Sequence, residues 1–477
     1  MNNEQHNLKH ASVVALCAMG ILFIGAIVFF KERLFADTSY LVFNIINFEQ
    51  PSIPHQRYGG IVTQLFPWLG AVMHLPVTTL LVGYIVGFNL FFLIIGLVLF
   101  FGIRQYKLVT LLGLYYVLIV SDSYFLANAE IHLVVATMFL MFGTAFHYGN
   151  KQAGIIRLII PFSLLALFTL ITHFIVIIPT TFLWIYFILD KQNWPFKKNT
   201  TILLSLILMA SVAVKFAITG SSQQYENGHL HHLSHFSLQD LIDTFTSPVV
   251  RMFCYRCISN YWIAVLVFSA GIYALLKDRQ KPLLIWTLVS FTGYFIMMGL
   301  TYRDFDEFVK LFHIETEWQS IGIIMATPFV SSFLPKIRPR IAAGLLLVVF
   351  LTRFAYIGHS GQAFTWRLHY TERILARMKK KDITKLALYH DKALADKYIL
   401  DWALPYESLL LSAMNGDRPQ RTFMFVHADQ AGTIEAISHP SAVFLFGIFR
   451  TNDINAHYFY PDTTRPYQLM TTEQFFK

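Results

Sequence analysis

Apolar residues along this chain do not alternate, and they do not keep to one stripe of a helix; they come in long unbroken runs. A helix that crosses the hydrocarbon core of a bilayer needs about 20 mainly apolar residues, somewhat fewer when neighbours shield its ends. Eleven runs meet that pattern, at roughly 11–30, 79–102, 107–121, 131–148, 154–171, 173–189, 200–219, 259–276, 283–300, 318–334 and 341–357. Most are bounded by charges or by Pro and Gly clusters. The fifth and sixth form a nearly continuous stretch that divides at Thr172-His173. The first has the length of a signal-peptide core, but Phe-Phe-Lys-Glu-Arg follows it where small residues would mark cleavage, so it is expected to stay as an anchor.

Two regions break the pattern. In the loop 31–78, Leu34, Tyr40/Leu41, Ile45 and Phe48 recur at helical spacing, which predicts an amphipathic helix lying in the interface over Leu34–Phe48. A second short helix is expected in Gly60–His74, after the turn Arg57-Tyr58-Gly59-Gly60. Beyond 357 the chain is normally polar. There Ile383–His390 and Arg421–His427 read as strands, and Glu372–Lys381 and Tyr406–Met414 as helices. No internal repeat or low-complexity run is visible. The expected fold is an all-α polytopic membrane protein of about eleven transmembrane helices (1–357) with a small C-terminal extracytoplasmic α/β domain (358–477).

Charge sets the expected orientation. With the N-terminus inside, the cytoplasmic loops hold Arg104/Lys107, Lys151/Arg157, Lys191/Lys197/Lys198, Lys277/Arg279/Lys281 and Lys336/Arg338/Arg340, opposed only by Asp190 and Asp278. The alternation works without a misfit and leaves the C-terminal domain outside, in the periplasm or its equivalent. Composition agrees. Only 14% of residues are charged and 55% are hydrophobic, far from the roughly 25% charged of soluble domains. That excludes an ordinary soluble enzyme or a nucleic-acid-binding protein, because the net charge of +9 is a topology signal rather than a binding surface. Three cysteines, Cys17, Cys254 and Cys257, are too few for a disulfide scaffold.

Candidate chemistry gathers on the outer side. Asp37 follows the first run at the depth where an embedded cavity would open outward, and a carboxylate there is costly unless hydrated, paired or functional. It reads first as the start of a helix, accepting backbone N–H bonds, and also as a general base, two roles that are compatible. Glu130 opens the fourth run as a favourable charge at a helix N-terminus or as a second acid. Lys215 and Arg353 are the two bases inside the runs, both near outer ends, where they either snorkel or bind an anion. Arg57, Arg251, Arg256 and Arg303 add cations on the loops, and His173 would face an outer cavity. Asp304, Asp306, Glu307, Glu315 and Glu317 with His313 make an acidic loop whose spacing fits no metal motif. Neither the cluster His229, His231, His232 and His235 nor the pair Cys254/Cys257 matches a defined zinc or redox pattern.

The segment Phe35-Ala36-Asp37-Thr38-Ser39-Tyr40, set in a long outer loop between a first span and some ten more, with Asn128-Ala129-Glu130 at the second outer loop, resembles the GT-C superfamily of integral-membrane glycosyltransferases. The tail segment Trp402–Leu410 is similar to the outer domains of family members. The resemblance implies an inverting transferase of the protein O-mannosyltransferase or aminoarabinose-transferase type, in a bacterial inner membrane. It implies a polyprenyl-phosphate-linked sugar as donor and a lipid, glycan or protein as acceptor. Asp37 would be the catalytic base and Glu130 a second acid. The carrier phosphate would need cations, for which Lys215, Arg353, Arg57 and Arg303 are the candidates, and His173 is a candidate substrate contact. Family members often carry a second acid beside the Asp; here Thr38 follows it, so no metal is assigned and no cofactor is expected. Two other functions fit the layout less well. A transporter or flippase would show paired halves and mid-bilayer charges, and a polysaccharide polymerase or ligase would carry its large loop late in the chain.

Overall fold

The computed structural model describes residues 3–127, 130–150, 154–191, 193–219, 236–302, 311–389, 394, 397–398, 400–427, 431–445 and 447–477. Each of the eleven apolar runs falls on a helix: α1 (Asn3–Val28), α4 (Val77–Leu97), α5 (Tyr106–Leu118), α6 (Glu130–Asn150), α7 (Ile155–Thr172), α8 (Ile177–Leu189), α9 (Lys198–Thr219), α12 (Trp262–Lys277), α13 (Lys281–Thr301), α14 (Leu311–Pro328) and α15 (Pro339–Lys380). The helical state follows from the solvent: in hydrocarbon every backbone N–H and C=O must be satisfied within the chain, and a helix does this segment by segment. Seven helices among the described residues are long and apolar enough to cross a membrane, or eight if the pair Leu238–Ser259 and Trp262–Lys277, bent by 86°, counts as one broken span. Two more, α5 and α8 with the turn before it (Phe174–Leu189), are shorter apolar helices.

Small residues bring these helices close. A Cβ on Gly113 of α5 would lie 2.8 Å from the Cβ of Ala15 on α1, so the two backbones touch where membrane helices gain most from van der Waals packing. Helix α6 is enclosed nearly all round, with Ile131 through Phe139 buried. By contrast α9 turns Ile202, Leu206, Met209 and Phe216 outward, as a lipid-facing helix does.

The loop 31–78 is helical in both expected places, as α2 (Asp37–Phe48) and α3 (Ile61–Val72). Helix α3 exposes Leu65, Phe66, Leu69 and Val72 as an interfacial helix would. Helix α2 differs from the expectation of a free interfacial helix. Leu41, Val42, Phe43, Ile45 and Ile46 are all buried, because the C-terminal region closes over it.

The domain boundary also differs. No break occurs at 357: α15 runs unbroken for 42 residues, about 63 Å at 1.5 Å per residue, twice what a bilayer requires. Its C-terminal half is part of the C-terminal core, burying Phe364, Leu368, Ile374 and Met378. The remainder is the expected α/β unit. A three-stranded parallel sheet of order β2-β1-β5 is built from β1 (Lys385–Tyr389), β2 (Thr422–Val426) and β5 (Gln468–Met470). Leu386 pairs with Phe423 on one side and Gln468 on the other. Parallel neighbours need a crossover, and α16 (Leu404–Met414) supplies the one between β1 and β2. A hairpin of β3 (Ala442–Phe444) and β4 (Ile448–Arg450) completes the unit.

Candidate functional site

The connection from α1 to α2 is built tightly. Arg33 is fully buried at the end of α1, donating to Tyr124 O at 3.0 Å and Asn89 Oδ1 at 2.6 Å, with its guanidinium 4.8 Å from the Tyr124 ring centre. Leu34 forms a bridge with Leu126, and Thr38 Oγ1 donates to Ala127 O at 2.7 Å. These contacts hold the segment Tyr124–Ala127, just before α6, against the start of α2. Sequence reading passed over Arg33. Its signal was available: an arginine placed directly after an apolar run and four residues before the loop aspartate.

Asp37 is the first residue of α2. It is exposed in surface area, yet enough protein surrounds it that desolvation raises its carboxyl above the usual range, with the Arg57 guanidinium opposing that rise. The residue before it, Ala36, has φ 47° and ψ −119°, a conformation that a side chain disfavours. Glu407 on α16 fixes it by accepting the Ala36 N–H at 3.0 Å. Glu407 is itself buried and paired with Arg367 of α15, whose Nη2 donates to it at 2.8 Å and whose guanidinium lies 4.8 Å from the Phe35 ring centre. The C-terminal domain thus reaches into the turn that aims Asp37.

Arg57 and Glu130 meet at the same place. Arg57 Nη1 lies 3.6 Å from Glu130 Oε2, and Glu130 is within Coulombic range of Asp37 as well. The turn between them needs its glycines. A Cβ at Gly59 would fall 2.7 Å from Val134 Cγ1 and 2.8 Å from Thr172 Cγ2, and one at Gly60 3.2 Å from Glu130 Cγ. Gly59 N–H donates to Thr172 Oγ1 at 3.0 Å, which joins the turn to the hairpin between α7 and α8. Tyr84 of α4 is fully buried beside the two carboxylates, and its hydroxyl has no hydrogen-bond partner among the described residues.

On the far side of Thr172, His173 is buried and caps the short helix Phe174–Val176, its Nδ1 accepting from Ile175 N–H at 3.3 Å. Lys215, buried on α9, lies with its Nζ 4.8 Å from the Phe174 ring centre. Asp37, Arg57 and Glu130 therefore form one group, with His173 and Lys215 adjoining through the Thr172 hairpin.

Arg353 stands apart. Its guanidinium is buried and donates to Val117 O at 3.0 Å, Val120 O at 2.6 Å, Ser121 Oγ at 3.0 Å and Asn260 O. With that set of acceptors it fastens the end of α5 to the start of α12. Next to it Glu315 accepts from Ser121 N–H at 2.5 Å, Ser123 N–H at 3.0 Å and the Tyr261 hydroxyl at 2.6 Å, while Arg256 pairs with Asp122 at 3.1 Å. Two of the expected loop acids thus lie elsewhere than on a solvated loop: Glu315 and Glu317 are buried on α14. Arg303, Asp304, Asp306, Glu307 and the histidines 229, 231, 232 and 235 lie outside the described residues, as does the side chain of His313. Cys254 and Cys257 sit on one helix, α11 (Pro248–Ser259), as free thiols.

Compared with models of protein families, with curated proteins and with solved structures, the chain matches none.

Proposed function

We propose that this protein is an integral-membrane glycosyltransferase that moves a sugar from a polyprenyl-phosphate carrier to an acceptor on the outer face of a bacterial plasma membrane. In this reading the eleven apolar helices all cross, the N-terminus is cytoplasmic and the α/β domain is periplasmic. The observation that carries it is the convergence of Asp37, Arg57 and Glu130, from three separate stretches of chain, on the expected outer side.

The chemistry follows from those groups. An acceptor hydroxyl oxygen attacks the anomeric carbon of the donor, the bond from that carbon to the phosphate oxygen breaks, and its electron pair leaves with the polyprenyl phosphate. Asp37 takes the hydroxyl proton. Its raised basicity suits that task, because a base works best when its pKa approaches the operating pH. Arg57, with Lys215 nearby, meets the charge that develops on the leaving phosphate. Glu130 holds Arg57 in place. Arg353, bound to four acceptors, serves the scaffold in this reading rather than the phosphate.

The test is transfer from a radiolabelled polyprenyl-phosphate hexose in proteoliposomes. Asp37→Asn is expected to lower the rate by a factor on the order of 100 to 10,000 with folding unchanged. A variant that keeps the parental rate removes Asp37 from the mechanism.

A further inference from the structure

A groove of about 450 Å³ lies between α2, the loop 50–54 and the β3–β4 hairpin of the C-terminal domain, lined by Tyr40, Asn44, Phe48, Gln50, Ser52 and Phe449 among others. Three of these come from α2 at positions 40, 44 and 48, the i, i+4, i+8 row of one helix face. Asp37 is the residue three places earlier on that row. At 1.5 Å per residue the face runs roughly 16 Å from Asp37 to Phe48. The groove therefore lies along the face of α2 that begins at Asp37.

Its lining is unusual in one respect: it carries no charged side chain. Aromatic rings of Tyr40, Phe48 and Phe449 alternate with the amides of Asn44 and Gln50 and the hydroxyl of Ser52. Asn44 is 8% exposed and is one of the residues that line the groove. The loop that forms the opposite wall is held firmly, because Gln64 accepts from Ser52 N–H at 2.8 Å and donates to Ser52 O at 2.7 Å. A site with flat apolar faces, amide donors and acceptors, and no charge is complementary to a neutral polyhydroxylated ligand. An anionic headgroup or a cationic peptide would lose its hydration there without gaining a counter-charge.

We infer that this groove binds a neutral saccharide, and that the acceptor of the reaction is a glycan whose chain lies along α2 with its reactive hydroxyl toward Asp37. The identification of that glycan as the acceptor rests on the transferase reading above; the saccharide site itself does not. The hydroxyl oxygen forms the new bond to the anomeric carbon, its proton passes to Asp37, and the phosphate carrier departs with the electron pair of the broken bond.

The experiment measures binding without turnover. Neutral trisaccharides of glucose, galactose, mannose and N-acetylglucosamine are titrated against the full-length protein in nanodiscs by saturation-transfer NMR, with trigalacturonate as the charged control. At least one neutral trisaccharide is expected to bind and trigalacturonate is not. Asn44→Leu, and Gln50→Ala on the exposed rim, are each expected to weaken that binding about tenfold. Gln50→Ala guards against a folding defect, because the residue is exposed. Failure of every neutral trisaccharide to bind, or binding indifferent to both groove variants, overturns the saccharide site even if Asp37→Asn abolishes transfer. Groove-dependent binding together with normal transfer by Asp37→Asn keeps the site and overturns the transferase mechanism instead.

Discussion

At the scale of single residues, the feature that organises the outer face is the competition around Asp37. Desolvation pushes its carboxyl up from the ordinary 3.8, and the Arg57 charge pulls it back. The sign of the consequence is fixed. A general base acts only when ionised, so the rate falls as pH drops through its pKa, and a raised pKa moves that acid limb to higher pH than a free aspartate would show. Arg57→Ala removes the opposing charge. Its acid limb is expected to move up further still, read from kcat/KM against pH in the proteoliposome assay, while Arg57→Lys restores most of the position. A limb that stays put in Arg57→Ala means that the titrating group is not Asp37. Asp37 was visible in the sequence because a carboxylate beside a long apolar run is costly. Its partnership with Arg57, twenty residues on, was not, since no periodicity relates a turn to the start of another helix.

At the scale of elements, the sequence showed the helices far better than it showed what covers them. Long apolar runs have only one solution in a bilayer, so each became a helix. The amphipathic pattern of Leu34–Phe48 correctly gave a helix but not its surroundings, because an apolar face looks the same whether lipid or another domain buries it. The decisive contact is between α16 and the turn before α2, where buried Glu407 holds the Ala36 N–H and pairs with Arg367. Such a pair, separated by 40 residues and joined to the loop across more than 370, leaves no local trace. Removing one partner of a buried pair strands the other charge, at about 3–5 kcal/mol. Glu407→Ala is therefore expected to lower the unfolding midpoint strongly and to lower transfer with it, measured by tryptophan fluorescence in detergent. The double change Glu407→Leu with Arg367→Met abolishes the stranded charge and is expected to recover much of the stability. It should recover little of the rate, because the Ala36 N–H is still unheld. Full recovery of both would mean that the α16 contact does not aim Asp37.

At the scale of the whole molecule, the site's meaning depends on which side of the membrane it faces. The expected orientation rests on the lysines and arginines between α4 and α5, α6 and α7, α8 and α9, α12 and α13, and α14 and α15 in chain order. Asp37, Arg57 and the α/β domain lie at the opposite ends of those helices, and the continuity of α15 from Pro339 to Lys380 carries the chain from one set of ends to the other. A cation-rich side and a site-bearing side joined by one rigid helix make the orientation testable with two positions. Cys17, Cys254 and Cys257 are first replaced by serine, and single cysteines are introduced by Lys281→Cys at the start of α13 and Glu473→Cys in the C-terminal domain, both at exposed residues. In intact spheroplasts a membrane-impermeant maleimide is expected to label the second at once and the first only after permeabilisation. Charge alone decides this outcome, because adding a few arginines to an outer loop should weaken the preference while leaving every helix in place. The reverse labelling pattern would put Asp37, the groove along α2 and the α/β domain in the cytoplasm, where a lipid-linked donor displayed on the outer leaflet could not reach that carboxylate.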